Sequence, residues 1–306
     1  MELLLSTYLE ILSRRMTSIA VLITCFNRRE KTLECIARLK KQQEIDSILL
    51  VIYLVDDGSS DGTTEAISIA FPEVHIIQGN GSLYWNGGMR LAWCHALETG
   101  YDFYLWLNDD SMITSCAVSK IVETYNNLLD SGKTPGAILG TMVSSENQRA
   151  TYGGRLSHSR INPLSYGPIM KPIDKPLECD FINGNFTLIP TLAVAKIGIL
   201  SDIYTHSMGD FDYGLRLKEA GLSCWVAPGV YGECEVNSES GGCKDNSLKI
   251  AERVEKMRDI SQLPPVKEWL YFVRLHGGLV WPLLWLKAWI RGRVPFLWAL
   301  LRSKNF

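Results

Sequence analysis

Two unbroken apolar runs, Ile19-Ala20-Val21-Leu22-Ile23-Thr24 and Ile48 to Val55, constrain this chain more than anything else in it. Each has the length of a strand, and neither alternates apolar with polar residues. Such runs belong to strands covered on both faces, as in parallel sheets sandwiched between helices. The residues between them agree. Leu33, Ile36, Ala37 and Leu39 fall on one side of a helix, with Lys31, Arg38, Lys40 and Lys41 elsewhere. Ser60-Asp61-Gly62-Thr63 makes a turn and an N-cap for a helix over Thr64–Ala70, and Val74-His75-Ile76-Ile77 is a third, short strand. Strand–helix–strand–helix–strand at this spacing predicts an α/β fold with crossover helices.

In such sheets ligands sit beyond the carboxyl ends of the strands. Three polar clusters land there: Thr24–Arg28, Asp56-Asp57-Gly58-Ser59, and Asn108-Asp109-Asp110 after the apolar Leu105-Trp106-Leu107. Adjacent carboxylates at a strand's end suit Mg²⁺ or Mn²⁺, which take oxygen ligands and let substrate phosphates complete the shell. They also suit a helix N-cap, and Asp-Asp-Gly-Ser also suits a plain turn. Three clusters at one edge of one sheet favour a site. Gly79 to Arg90 reads as a Gly/Asn-rich loop with two aromatics, ahead of a helix over Leu91–Glu98. Small residues let a backbone approach a ligand, and a helix start favours an anion. The loop has neither the GxxxxGK[ST] nor the GxGxxG spacing.

Further on, the pattern predicts a helix over Ala117–Leu129, a strand over Ala137–Val143, a loop or ribbon region over 144–176, a strand over Phe181–Pro190 kinked at Gly184, and a helix over Leu192–Ile197. Asp210 and Asp212 precede a helix that stops at the C-cap Gly221. Both carboxylates suit the helix dipole; alternatively one faces a site as general base.

Taken in order, Thr24–Arg28, Val55–Ser59, Gly79–Gly88, Asn108–Asp110, Gly184 and Gly209-Asp210-Phe211-Asp212 resemble glycosyltransferase family 2 over roughly residues 17–235. The resemblance implies the GT-A fold: a mixed, mostly parallel sheet of seven or so strands between helices. The nucleotide-binding half (17–110) comes first and the acceptor-binding half (111–265) second. It implies an inverting, Mn²⁺- or Mg²⁺-dependent transfer from a UDP- or dTDP-sugar to a glycan or lipid-linked acceptor in bacterial polysaccharide assembly. By the same resemblance Thr24, Phe26 and Arg28 line the nucleotide pocket, and Asp56 and Asp57 accept from the base and ribose. Asn86 and Gly87 belong to the cofactor-binding set, Asp109 reaches the ribose or donor sugar, Asp110 binds the metal, and Asp210 deprotonates the acceptor. Two departures stand out. Gly209 replaces the Glu that commonly precedes Asp210. No His follows the last core strand, where Glu233 is the nearest substitute. A nucleotidyltransferase also pairs carboxylates with Mg²⁺, but residues 19–30 lack the basic Gly-rich loop it would want. A non-catalytic nucleotide-sugar-binding module is the other alternative.

Net charge is −2, which argues against wholesale nucleic-acid binding, but the charge is unevenly spread. From Val266 onward there are seven Lys/Arg and one acid; before it there are 24 basic and 32 acidic residues. That stretch, 266–306, is rich in aromatics (Trp269, Trp281, Trp285, Trp289, Trp298) and reads as an amphipathic helical tail. It predicts peripheral contact with the inner face of the cell membrane, with Arg274 and His276 placed to meet a lipid-linked diphosphate. A tail helix packed back on the body is the alternative. Eight cysteines with no CxxC pair predict reduced thiols and a cytoplasmic setting. Residues 1–16 read as an extension, with Met16 a candidate natural start.

Overall fold

The computed structural model describes residues 16–236 and 241–296. The expectations on residues 1–15 and on Trp298 lie outside the described residues. The chain runs β1 (Thr17–Cys25), α1 (Arg29–Lys40), β2 (Ile48–Asp56), α2 (Thr63–Ala70), β3 (His75–Gln78), α3 (Tyr84–Thr99), β4 (Phe103–Leu107), β5 (Met112–Ile113), α4 (Ala117–Asp130) and β6 (Pro135–Val143). It continues with β7 (Ala150–Tyr152), β8 (Leu177–Cys179), β9 (Phe186–Pro190), α5 (Thr191–Ile197), α6 (Gly209–Glu219), β10 (Ser223–Glu233), α7 (Ile250–Lys256), α8 (Val266–His276), a 3-10 turn (Gly278–Val280) and α9 (Trp281–Arg293).

One ten-stranded sheet carries the molecule, in the order β3-β2-β1-β4-β9-β6-β10-β5, with β7 on β6 and β8 on β10. The first four strands are parallel, and β9 runs antiparallel between β4 and β6. This is the expected mixed α/β sheet, extended past seven strands by short edge pairings. The apolar runs are unbroken for the reason the sequence suggests. Ile19, Val21 and Ile23 of β1 join one core cluster with α1 and α4, while Ala20 and Leu22 join the other with α3 and α6. On the second face Trp93, Trp106 and Tyr213 pack ring against ring, at centroid distances of 5.2 to 5.6 Å.

Helix α3 starts at Tyr84, seven residues before the expected Leu91. The cause is remote in sequence. Asp57, just past β2, accepts hydrogen bonds from the backbone N–H groups of Gly81 (2.8 Å), Leu83 (2.8 Å) and Tyr84 (3.0 Å). That carboxylate supplies the anion a helix N-terminus favours, so the first turn forms without a local cap. The glycines inside the turn are weak helix formers, but α3 lies hard against β1: a Cβ on Gly88 would sit 2.1 Å from Thr24 Oγ1.

Other boundaries shift as well. The strand expected over Phe181–Pro190 begins only at Phe186, one pair after the Asn108 N–H meets the Asn185 carbonyl at 3.2 Å. Asp210 and Asp212 lie within the first turn of α6, after Met208 in a left-handed conformation (φ 76°). The tail divides. Helix α8 packs on the body, burying Phe272 and Val273 against Tyr204, with Trp269 and Trp285 packed on the same cluster. His276 is buried as well, its Nε2 paired with Asp212 Oδ1 at 2.9 Å. It is therefore not free to meet a lipid diphosphate, which corrects the expectation for that residue. The 3-10 turn and helix α9, by contrast, leave apolar residues exposed, with Leu279 of the turn at 97% and Leu283 of α9 at 69%. Among the described residues no helix is long and apolar enough to cross a membrane.

Candidate functional site

The carboxyl ends of β1, β2 and β4 open onto a cavity of about 590 Å³. Thr24, Phe26, Arg28, Asp57, Asp109, Asp110 and Asp210 all line it, so most of the residues singled out from sequence converge there. Asp56, Asn86 and Gly87 do not line it. Asp56 accepts from Ser59 N–H at 2.8 Å and from the Thr64 hydroxyl, holding its own turn. Asn86 is fully buried and Gly87 lies in the first turns of α3 with its N–H toward the carbonyls of Leu83 and Thr205. Their hydrogen bonds in this structure are internal ones. Asp57 faces the cavity but is already committed to three backbone donors.

At one wall Arg28 bridges the acidic pair, its Nη1 donating to Asp109 Oδ1 (3.1 Å) and Asp110 Oδ2 (2.7 Å). Burial pushes Asp109 up to about 7, against the pull of Arg28 and with a further push from Asp110. Its Oδ2 is buried without a hydrogen-bond partner. An orphaned carboxylate oxygen beside a second carboxylate, in an open cavity, fits a hard divalent cation. Among the described residues no group of three or more His, Cys, Asp or Glu surrounds a common point. Such an ion would thus take most of its ligands from substrate phosphates and water, as Mg²⁺ usually does. Glu233 does not line the cavity. Its neighbour Cys234 does reach the pair, with Sγ 3.5 Å from Asp110 Oδ1 and 3.4 Å from Asn185 Nδ2.

Of the two acids of α6 only Asp210 lines the cavity, and their environments separate them. Asp212 is 1% exposed and bonded by Tyr204 OH (3.2 Å), Arg216 Nε (2.8 Å) and His276 (2.9 Å). Burial alone would raise it, but His276 and Arg216 hold it below the usual carboxylate range. Asp210 has no cationic partner. Loss of water pushes it up to about 6, opposed by hydrogen bonds from Phe211 N–H (2.8 Å), the Asn183 side chain and Gly184 N–H. Of the two, only Asp210 has the location and the proton affinity of a general base.

Sequence reasoning missed several cavity residues. His206 and Ser207 lie just before α6, and Asp259 and Ser261 come from the irregular segment after α7. A single His in a loop, and an Asp-x-Ser turn far down the chain, carry no periodic signal.

The place of the missing Glu at 209 is occupied. A Cβ there would sit 1.8 Å from Asn86 Oδ1, so the side-chain amide of α3 takes the space. Gly209→Glu is therefore expected to destabilise the fold by about 1–3 kcal/mol, the usual cost of overpacking. Part of that loss should return in the Asn86→Ala background. Urea unfolding of the single and double variants measures it. A Gly209→Glu protein as stable as the parent would show that Asn86 does not exclude the Glu.

Comparisons with known proteins agree with this fold. The family model described as glycosyl transferase family 2 matches residues 20–186. No curated protein matches the chain. The fold is similar to that of the mannosyltransferase PcManGT from Pyrobaculum calidifontis, solved with GDP-Man and Mn²⁺. That match has TM-score 0.53 and 14% identity, over 93% of this chain and 72% of that one. It is similar too to S. aureus TarS 1-349, solved with UDP, at TM-score 0.53 and 11% identity, over 94% of this chain and 88% of that one. With the cavity at the carboxyl edge of a mixed sheet and a model match over more than half its length, the chain belongs to glycosyl transferase family 2.

Proposed function

We propose that this chain is a metal-dependent, inverting glycosyltransferase that moves a sugar from a UDP- or dTDP-sugar to a glycan or lipid-linked acceptor in polysaccharide assembly. The observation that carries the reading is one cavity lined both by an acidic pair tied to Arg28 and by Asp210, a desolvated carboxylate held by neutral donors. Two structural neighbours hold nucleotides, one of them with Mn²⁺, which supports a nucleotide donor and a divalent ion. Residues 17–110 form the nucleotide half, with Thr24, Phe26, Arg28, Asp57 and Asp109 toward the donor, and 111–265 the acceptor half.

Asp110, with Asp109, is the pair that would hold Mn²⁺ or Mg²⁺. The ion, when bound, offsets the charge of the departing diphosphate. The protein's own side chains do the rest. Asp210 takes the proton of the acceptor hydroxyl, whose oxygen forms a bond to the anomeric carbon. The bond from that carbon to the diphosphate oxygen breaks on the opposite face, and the diphosphate leaves with the electron pair. Burial keeps water from competing for the base. A glycoside hydrolase would instead need two carboxylates flanking one bond.

The tail supports peripheral attachment to the cytoplasmic membrane face through a narrower surface than its sequence suggested. Leu279, Leu283, Leu286, Trp289 and Phe296 are exposed, with Lys287 and Arg293 among them.

The first test is a panel of nucleotide-sugars screened for thermal stabilisation with Mn²⁺, since a bound donor raises stability by mass action. A UDP- or dTDP-sugar should stabilise the parent, and EDTA or Asp110→Asn should remove the effect without unfolding the protein. Equal stabilisation in EDTA sinks the metal assignment.

The base assignment predicts a pH limb. Asp210 accepts a proton only when ionised, so a group raised to about 6 gives activity that holds above that pH. Below it, activity falls about tenfold per pH unit. Asp210→Asn should cost roughly 10²-fold or more in turnover and erase the limb, with donor affinity unchanged. A limb that survives in Asp210→Asn assigns the base elsewhere.

Membrane attachment predicts sedimentation with phosphatidylglycerol vesicles that weakens with added salt, each basic residue near the surface contributing about 1 kcal/mol. The triple variant Leu279→Ser, Leu283→Ser, Leu286→Ser should stay in the supernatant. If it sediments like the parent, α9 is not the docking face.

A further inference from the structure

Two adjacent polar side chains in the cavity wall have nothing to bond. His206 Nδ1 and Ser207 Oγ are both shielded from water and both lack a hydrogen-bond partner. Both residues line the cavity beside Asp210. Leaving such a group unpaired costs about 1–3 kcal/mol. In native proteins a buried group of this kind points to a partner that is yet to bind.

The loop that carries them is held in place. Thr205 donates its N–H and its hydroxyl to the Glu268 carboxylate, at 3.2 and 2.7 Å. Its carbonyl accepts from Asn86 N–H at 3.2 Å. The His206 ring meets Tyr84 edge-on, with centroids 5.9 Å apart. The unpaired atoms are therefore set in advance, and loop collapse does not satisfy them.

Their chemistry narrows the ligand. Burial pulls His206 below the usual histidine range, with Asp259 opposing and Arg28 adding to the pull. A neutral imidazole offers one N–H and one lone pair, and a serine hydroxyl likewise donates and accepts. That pairing matches another hydroxyl. A diphosphate would call for cations. Among the described residues Arg28 is the only Lys or Arg in the cavity lining, and Asp109 and Asp110 already engage it.

We propose that His206 and Ser207 are the acceptor-recognition pair, and that they hold the hydroxyls of an uncharged sugar ring, not the diphosphate of a lipid carrier. The proposal rests on the glycosyl-transfer reading above. His206 is a positioning residue in it: it sets the attacking hydroxyl against Asp210 and takes no proton. A lipid-linked acceptor would then reach the site by its terminal sugar, with its diphosphate outside the cavity.

The test uses the full chain with ¹⁵N-labelled histidine rings, loaded with UDP or dTDP and Mg²⁺, and titrated with a panel of methyl glycosides. The nucleotide should leave the His206 ring signals in place, and at least one glycoside should move them. His206→Ala and Ser207→Ala should each weaken that glycoside about tenfold, the worth of one hydrogen bond. Nucleotide affinity should stay within about twofold, consistent with a loss confined to the acceptor. His206→Asn, which keeps a donor and an acceptor near the ring's Nδ1, should recover part of the loss. Nucleotide that itself shifts His206 and weakens in His206→Ala would place the residue in the donor subsite and overturn the proposal. So would a glycoside that binds without touching His206, or a nucleotide-loaded protein that binds no glycoside. A protein that binds neither nucleotide with Mg²⁺ overturns the underlying reading, and this one with it.

Discussion

One buried amide ties helix α3 to the loop before α6. Asn86, near the start of α3, donates through Nδ2 to the carbonyls of Ser201 and Tyr204 at 2.9 and 2.6 Å. Its Oδ1 lies where any side chain at position 209 would begin. The backbone N–H groups of Asn86 and Gly87 meanwhile point to the Thr205 carbonyl. The loop before α6 is thereby fixed to α3, and Asp210 follows from that loop. A base must be held to a fraction of an ångström to be useful. The arrangement leaves Oδ1 of Asn86 without a hydrogen-bond partner, a cost of about 1–3 kcal/mol.

Partnering separates carboxylates that look alike in sequence. Asp56 and Asp57 are neighbours, yet one secures its own turn and the other the N-terminus of α3. Asp210 and Asp212 are two apart; Asp212 carries an arginine, a histidine and a tyrosine, while Asp210 has only neutral donors. Asp109 and Asp110 share one arginine, and burial raises the first toward neutrality. Of these six acids Asp57, Asp109, Asp110 and Asp210 line the cavity, and the proposed metal and base chemistry rests on the last three.

The fold was legible from sequence because burial on both faces leaves an unmistakable trace, an apolar run without alternation. The cavity edge followed, since polar residues that end such runs must gather at one side of a parallel sheet. Contacts made across long sequence distances were not legible. The cap on α3 comes from Asp57, and nothing within residues 79–83 announces it. Asn86 and Gly87 sit in a stretch that reads as a ligand loop, because glycine serves close packing between helix and strand as readily as close approach to a ligand. His206 and Asp259 acquire meaning only from the cavity they share.

The tail shows the same ambiguity settled by packing. A Trp/Leu-rich basic segment suits a bilayer interface and a protein surface equally, and here α8 takes the protein surface while the residues after it leave apolar side chains exposed. Glu268 and His276 of α8 point into the body and hold Thr205 and Asp212, the residues on either side of Asp210. Removing His276 would leave the buried Asp212 carboxylate short of a hydrogen-bond partner, which costs far more than breaking an exposed contact. Helix α8 thus helps to place the loop that carries Asp210, whatever α9 touches. Removing everything after Pro265 would disturb the site and the proposed docking face together. Polar substitutions confined to the outer face of α9 separate the two.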